Sequence, residues 1–195
     1  MLSFPGHFFG AYIFLKIFSR IRKIKYSERI MFWSTIVAIA VDFDSLAYPF
    51  LGIPPYYHRR YVVHTPFFWI IAFLLFATFL KIIDRRSGKK RTFIVLPFAV
   101  AVLSHLVLDS TFEGIMWFYP VTATLYGLNL PILSARPLGE WVISYLTNPY
   151  GLFLELFVAF LGLRVAQVSG DLKIFFQRAQ VKNLGPTIRS LFRSR

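Results

Sequence analysis

The sequence predicts an all-α membrane protein, a polytopic helix bundle of about five transmembrane helices with a long outer loop that contains short helices. Three observations predict it. The 195 residues are 56% apolar and 16% charged, with a mean hydropathy of +0.58, whereas a soluble domain carries nearer a quarter charged residues. Five stretches approach the ~20 apolar residues that cross a bilayer. Lysine and arginine gather between these stretches and at their ends. The same composition excludes other classes. Aromatics at 19%, with 23 phenylalanines, exclude a disordered chain. The absence of cysteine excludes disulfide frameworks, thiolate zinc sites, iron–sulfur clusters and cysteine nucleophiles.

The first span runs from Phe4 to Phe18 and carries His7. No charged region precedes it, so no cleaved signal peptide is expected. The second runs from Ile30 to Phe50 and carries Asp42 and Asp44. The third, Val62–Ile83, has no charge before Lys81. Thr65 caps it and Pro66 takes its first helical position, where a missing N–H costs nothing. The fourth, Thr92–Leu108, carries His105, and the fifth, Tyr150–Val168, follows Pro149 and carries Glu155. Between the last two, Ser110–Asn148 is apolar but rich in glycine and proline. It reads as a loop with short or re-entrant helices, packed on protein or lining a cavity. Trp117 and Tyr119 read there as interfacial aromatics and Pro120 as a helix stop. Residues 1–168 form the membrane-embedded domain. Residues 169–195 form a basic tail in which Leu172, Phe175, Phe176 and Ala179 suit either an interfacial helix on anionic lipid or a solvated tail.

The bases set the orientation. Of 22 lysines and arginines, six lie in Lys16–Arg29, six in Lys81–Arg91 and seven from Arg164 onward. Five spans put those segments on one side, which the positive-inside rule makes cytoplasmic. The N-terminus and both other loops are then outside, in a cell or inner membrane. This flanking pattern accounts for the net charge of +13, so no nucleic-acid partner is expected; the expected partners are membrane lipids.

In this topology all four histidines, His7, His58, His64 and His105, fall in the outer half, together with Asp42, Asp44 and Asp109. Ionisable groups within spans cost several kcal/mol unless paired or metal-bound. Arg91 to His105 is 14 residues, about 21 Å of helix in a hydrocarbon layer of ~30 Å. His105 therefore lies beneath the surface, deeper than a simple cap. His105 and Asp109 are four apart and share a helical face, a spacing that suits two ligands of one ion. Asp42 and Asp44 are about 200° apart on an ideal helix. Both line the site only if the helix ends there; otherwise one is a ligand and the other a cap. Arg59 and Arg60 suit either a phosphate fork or a headgroup anchor. Glu113 reads as a solvated loop acid, and Glu155 as an acid within the fifth span, with reach of the cavity as the lesser alternative.

The residues taken together, Pro5-Gly6-His7 with Gly10, Asp42-Phe43-Asp44, His58-Arg59 with His64-Thr65, and His105-Leu106-Val107-Leu108-Asp109-Ser110-Thr111 with Gly114 and Tyr119-Pro120, resemble the YdjM-type membrane-bound metal-dependent hydrolases. The resemblance spans His7 to Pro120 and implies a hydrolase, with His58, His64 or both as ligands. More distantly, the order of a leading ligand, an Asp, a His and then H-x-x-x-D is similar to zinc-dependent phospholipase C and the related single-strand nucleases. No histidine follows His105, so one or two ions are expected rather than three.

Residues and resemblance together give a membrane hydrolase that cleaves a small-molecule or lipid phosphoester with a metal-activated water. The expected ion is zinc, with manganese as the alternative. His64, His105, Asp109 and Asp44 are expected at a first ion. His7, Asp42 and His58 complete a second site or orient ligands. An aspartate off the metal accepts the proton, and Arg59 and Arg60 hold the phosphate. Two other classes stay open on sequence alone. A transporter or channel for metal ions or protons would want ionisable residues near the midplane and on both sides. A non-enzymatic membrane protein would use the polar cluster structurally.

Overall fold

A computed structural model describes residues 4–46, 61–88, 90–111, 114–128 and 149–171. Among these residues there are five α-helices: α1 (Phe4–Arg22), α2 (Glu28–Ala40), α3 (Pro66–Ser87), α4 (Val95–Ser110) and α5 (Pro149–Val168). Each coincides with an expected span. Three spans are built in two pieces, the third with a 3-10 turn, Val62–His64, ahead of α3. A 3-10 helix, Val41–Leu46, continues α2, and another, Thr92–Ile94, leads into α4. Among the described residues, three helices are long and apolar enough to cross a membrane: Pro66–Ser87, Thr92–Ser110 and Pro149–Val168. The second span reaches about 32 Å by adding a 3-10 segment at ~2.0 Å per residue to an α-helix at ~1.5 Å.

Local signals explain the helix ends. The Ser27 hydroxyl accepts the Ile30 N–H at the start of α2. Thr65 accepts the Phe68 N–H at 3.3 Å with Pro66 next in the chain, as the sequence predicts. Gly88 closes α3 at φ +65°, a conformation open to glycine at little cost.

Helices α1 and α4 form the centre. α1 packs on α2, α4 and α5, while α4 also packs on α2 and α3. Small residues permit the close approach, as is usual between membrane helices. Ala11, Ala38, Ala101 and Ala166 are fully buried with Tyr12 and Leu15. A Cβ on Gly162 would sit 2.7 Å from Phe9, so α5 needs glycine where it crosses α1. The outward faces stay apolar and exposed, as at Leu74 and Leu75 on α3 and Phe153 and Phe160 on α5.

The stretch after α4 departs from the short helices expected of it, among the described residues. Ile115 and Tyr126 form an antiparallel bridge, and the Leu128 N–H returns to the Ser110 carbonyl at 2.8 Å. Gly114 makes this path open, with φ +78° and the Tyr126 carbonyl carbon 2.9 Å from any added Cβ. The expected tail helix lies outside the described residues.

The two ends of the bundle differ. The α1–α2 connection meets the α3–α4 connection around Ile24, Lys25, Lys90 and Thr92, and the end of α5 joins the end of α1 around Arg20 and Arg164. At the other end, the start of α1 meets the ends of α2 and α4 and the starts of α3 and α5.

Candidate metal centre

Four elements deliver the polar residues. The first turn of α1 carries His7. Its Gly6 N–H, one of the donors that a helix start leaves without an internal partner, is accepted by Glu155 Oε1 of α5 at 2.8 Å. The end of α2 tightens into the 3-10 helix that holds Asp42 and Asp44. A 3-10 turn, Val62–His64, presents His64 just before α3. The Trp69 indole N–H donates to the Val63 carbonyl at 2.7 Å and clamps that turn. The last turns of α4 carry His105 and Asp109.

Their side chains converge. His105 Nε2 lies 3.4 Å from Asp42 Oδ1 and 3.3 Å from Asp109 Oδ2. His64 Nε2 lies 3.4 Å from Asp42 Oδ1 and 4.0 Å from Asp109 Oδ2. One ligand atom from each of Asp42, His64, His105 and Asp109 falls within 4.8 Å of all the others. His7 joins from the side. Its Nε2 is 3.4 Å from Asp109 Oδ1 and 3.7 Å from Asp42 Oδ2, and its ring stacks on His105 with centroids 4.0 Å apart. His7, His64, His105 and Asp109 are fully buried and Asp42 is 1% exposed.

The group can hold a cation. Two imidazoles and two carboxylates are a common donor set for divalent ions. Buried polar atoms normally find hydrogen-bond partners. Yet neither ring nitrogen of His7 or of His105 makes a hydrogen bond among the described residues, although their Nε2 atoms face carboxylates.

Asp44 takes a different place from the one expected. Its Oδ2 lies 3.4 Å from His64 Nδ1, on the side of the ring opposite Asp42. The four-residue group therefore contains Asp42, the residue expected at a second ion, in place of Asp44. The two aspartates still both serve, because the α-helix ends at Ala40 and the tighter turn re-aims them. Glu155 reaches the backbone beside His7. His58, Arg59, Arg60 and Glu113 lie outside the described residues. Trp117 also has a partner inside the fold. Its indole N–H donates to Ser110 Oγ at 2.8 Å, and its ring packs on the cluster of Val41, Val102, Leu106 and Ile115 beneath the site. Trp69 was not singled out from sequence. A tryptophan four residues after the Thr65 cap, in an apolar helix, carries no periodic signal, and only the need of a partly buried indole for an acceptor hints at its role.

Fold and site define a class: an α-helical integral membrane protein that buries histidines and aspartates together at one end of its bundle. Within that class the chain belongs to the YdjM inner membrane protein family, which it matches over residues 1–171. The family resemblance drawn from the motifs is thereby borne out, as is residence in a membrane. No curated protein and no solved structure matches the chain.

Proposed function

We propose that the protein is a metal-dependent membrane hydrolase acting on a phosphoester. The observation that carries this reading is the convergence of Asp42, His64, His105 and Asp109, buried and from three elements, within 4.8 Å. The spacing supports a small ion. Ligands at about 2.0–2.2 Å in a tetrahedron stand roughly 3.3–3.6 Å apart, and three of the four described nitrogen–oxygen separations are 3.3–3.4 Å. Zinc fits this best, with manganese as the alternative. Asp42, His64, His105 and Asp109 would hold the ion, which when bound supplies Lewis acidity and makes water nucleophilic near neutral pH.

The chain's own groups do the rest. Asp44 fixes the His64 ring through Nδ1, the usual task of a carboxylate behind a ligand imidazole. A carboxylate oxygen of Asp42 or Asp109 accepts the proton of the attacking water. His7 Nε2, which faces both carboxylates, is placed to relay it. Arg59 and Arg60 keep the phosphate-holding role expected from sequence. Burial excludes bulk water, which strengthens each of these interactions. The site faces the outer leaflet, because the bases of the opposite end follow the positive-inside rule, and a lipid-linked phosphoester can enter laterally.

Elemental analysis of the detergent-purified protein tests the reading, paired with hydrolysis of bis(p-nitrophenyl) phosphate. One or two equivalents of zinc or manganese, and turnover lost on chelation and restored by the ion, are expected. A folded protein with no tight metal would leave the cluster structural. Ion flux in liposomes without hydrolysis would make the protein a transporter.

A further inference from the structure

The base-rich end of the bundle carries a second cavity, of about 690 Å³, between the last turns of α1 and of α5. That lies within the roughly 300–1,000 Å³ typical of ligand sites. Five bases line it: Lys16, Arg20, Lys23 and Lys25 from α1 and the turn after it, and Arg164 from α5. Its other walls are mostly apolar, with Ser19 and Ser169 among them. Ile17 and Val168 both line it and are 54% and 83% exposed. On helices that cross a membrane, such exposure means contact with acyl chains. The cavity thus offers cations at headgroup level and hydrocarbon beside them.

The lining is built rather than incidental. The turn bearing Lys23 to Lys25 is fixed by the C-terminal bonds of α1, Lys23 N–H to Arg20 carbonyl at 3.3 Å and Ile24 N–H to Ser19 carbonyl at 3.0 Å. The Ser19 hydroxyl also donates to the Ile24 carbonyl. Arg164 is held by Gln167 Oε1 at 2.7 Å. Lys16 alone is balanced, by Asp171 at 2.5 Å. Arg20, Lys23 and Lys25 have no carboxylate partner among the described residues. Two helix C-termini point here, each worth about half a negative charge, which the five bases outweigh.

We propose that this cavity binds the phosphate headgroup of a diacyl anionic phospholipid, whose chains lie along Ile17 and Val168. Charge complementarity selects the occupant. The chain's own tail is a poor match in charge, because its sequence carries Lys173, Arg178, Lys182, Arg189, Arg193 and Arg195 and no acidic side chain after Asp171. Basic pockets between membrane helices on the cytoplasmic side take anionic headgroups for this reason. The site is separate from the metal centre. His7 and Arg20 are 13 residues apart on α1, about 20 Å along the helix.

Native mass spectrometry of the purified full chain, titrated with phosphatidylglycerol or with phosphatidylcholine of the same acyl chains, tests this. One phosphatidylglycerol should bind at least about ten-fold more tightly than phosphatidylcholine, since each base near a headgroup contributes about five-fold. The triple variant Arg20→Gln, Lys23→Gln, Lys25→Gln should lose that preference with metal content unchanged. The charge-preserving triple Arg20→Lys, Lys23→Arg, Lys25→Arg should keep it. Arg164→Gln alone, a surface change that folding tolerates, should lower it about five-fold. Millimolar inorganic phosphate should not displace the lipid. Equal binding of both lipids by the native chain, or a preference that survives both the neutral triple and Arg164→Gln, overturns the proposal. So does displacement by inorganic phosphate, which would make the cavity a simple anion site. An equal loss in Arg85→Gln, Arg86→Gln, at the end of α3 and off the cavity, would mean diffuse attraction and would also overturn it.

Discussion

The two ends of the bundle use carboxylates in opposite ways. At the base-rich end, Asp84 Oδ2 accepts the backbone N–H groups of Arg91 and Thr92 at 2.7 and 3.1 Å. Asp171 accepts the Tyr12 hydroxyl and pairs with Lys16, each at 2.5 Å. These two acids each tie a connection to a helix, with fixed donors, near the surface. At the other end, Asp42 and Asp109 are fully buried and share imidazoles. His7, His64 and His105 each face both of them. A carboxylate matched to its own donors is a joint. Carboxylates that share one set of imidazoles, out of reach of water, make a place for a cation. The sharpest way to break this contrast is to remove one acid from each end. His105→Ala with Asp109→Ala should abolish stoichiometric metal and hydrolysis together, while Asp84→Asn keeps both. Elemental analysis of the two proteins decides. Metal retained by the first, or lost by the second, would erase the distinction between the ends.

A smaller effect separates the ligands from their support. Asp44 stands behind His64, and losing such a partner costs about 10–100-fold in metal affinity. Asp44→Asn should therefore bind the ion with affinity reduced by that factor, measured by competition with a chelator, and still reach full occupancy at excess metal. An outright loss of binding would place Asp44 among the ligands, as the sequence alone suggested.

That exchange of Asp42 and Asp44 marks how far the sequence could be read. Hydropathy and the clusters of bases located all five helices, because a bilayer demands long apolar runs and leaves charges at their ends. The same logic put His7, His105 and Asp109 at one end, and helical spacing paired the last two. It could not rank Asp42 against Asp44. Their order depends on where an α-helix tightens into a 3-10 turn, and neither proline nor glycine occurs between Val41 and Leu46 to mark the change. The clamp of Trp69 on the His64 turn was hidden for a similar reason, since it joins a side chain to a backbone carbonyl that no pattern reveals. The bridge from Ile115 to Tyr126 was hidden because strand pairing between two loop segments leaves no period in an apolar, glycine-rich stretch.

Next in size is the link between α5 and the site. Glu155 is 5% exposed and accepts the Gly6 N–H next to His7. Glu155→Leu removes the acceptor and leaves a buried donor, a loss of about 1–3 kcal/mol. Glu155→Gln keeps a carbonyl oxygen at nearly the same point and should cost less than half as much. Thermal unfolding in detergent measures both. Equal losses would mean that the charge of Glu155, rather than its hydrogen bond, holds the start of α1.

The smallest effect belongs to the joint at the other end. Tyr12 is 1% exposed, and its hydroxyl donates to Asp171 Oδ2. Tyr12→Phe keeps the ring in the core and removes only this bond, worth about 0.5–1.5 kcal/mol, or somewhat more because the acceptor is charged. Asp171 retains Lys16, so no buried charge is stranded. The variant should unfold at a slightly lower temperature while metal content and hydrolysis stay as in the native chain. A fall in metal content would show that displacing α1 at the basic end moves His7 at the far end. The two ends would then be mechanically coupled through one rigid helix, rather than independent as their chemistry suggests.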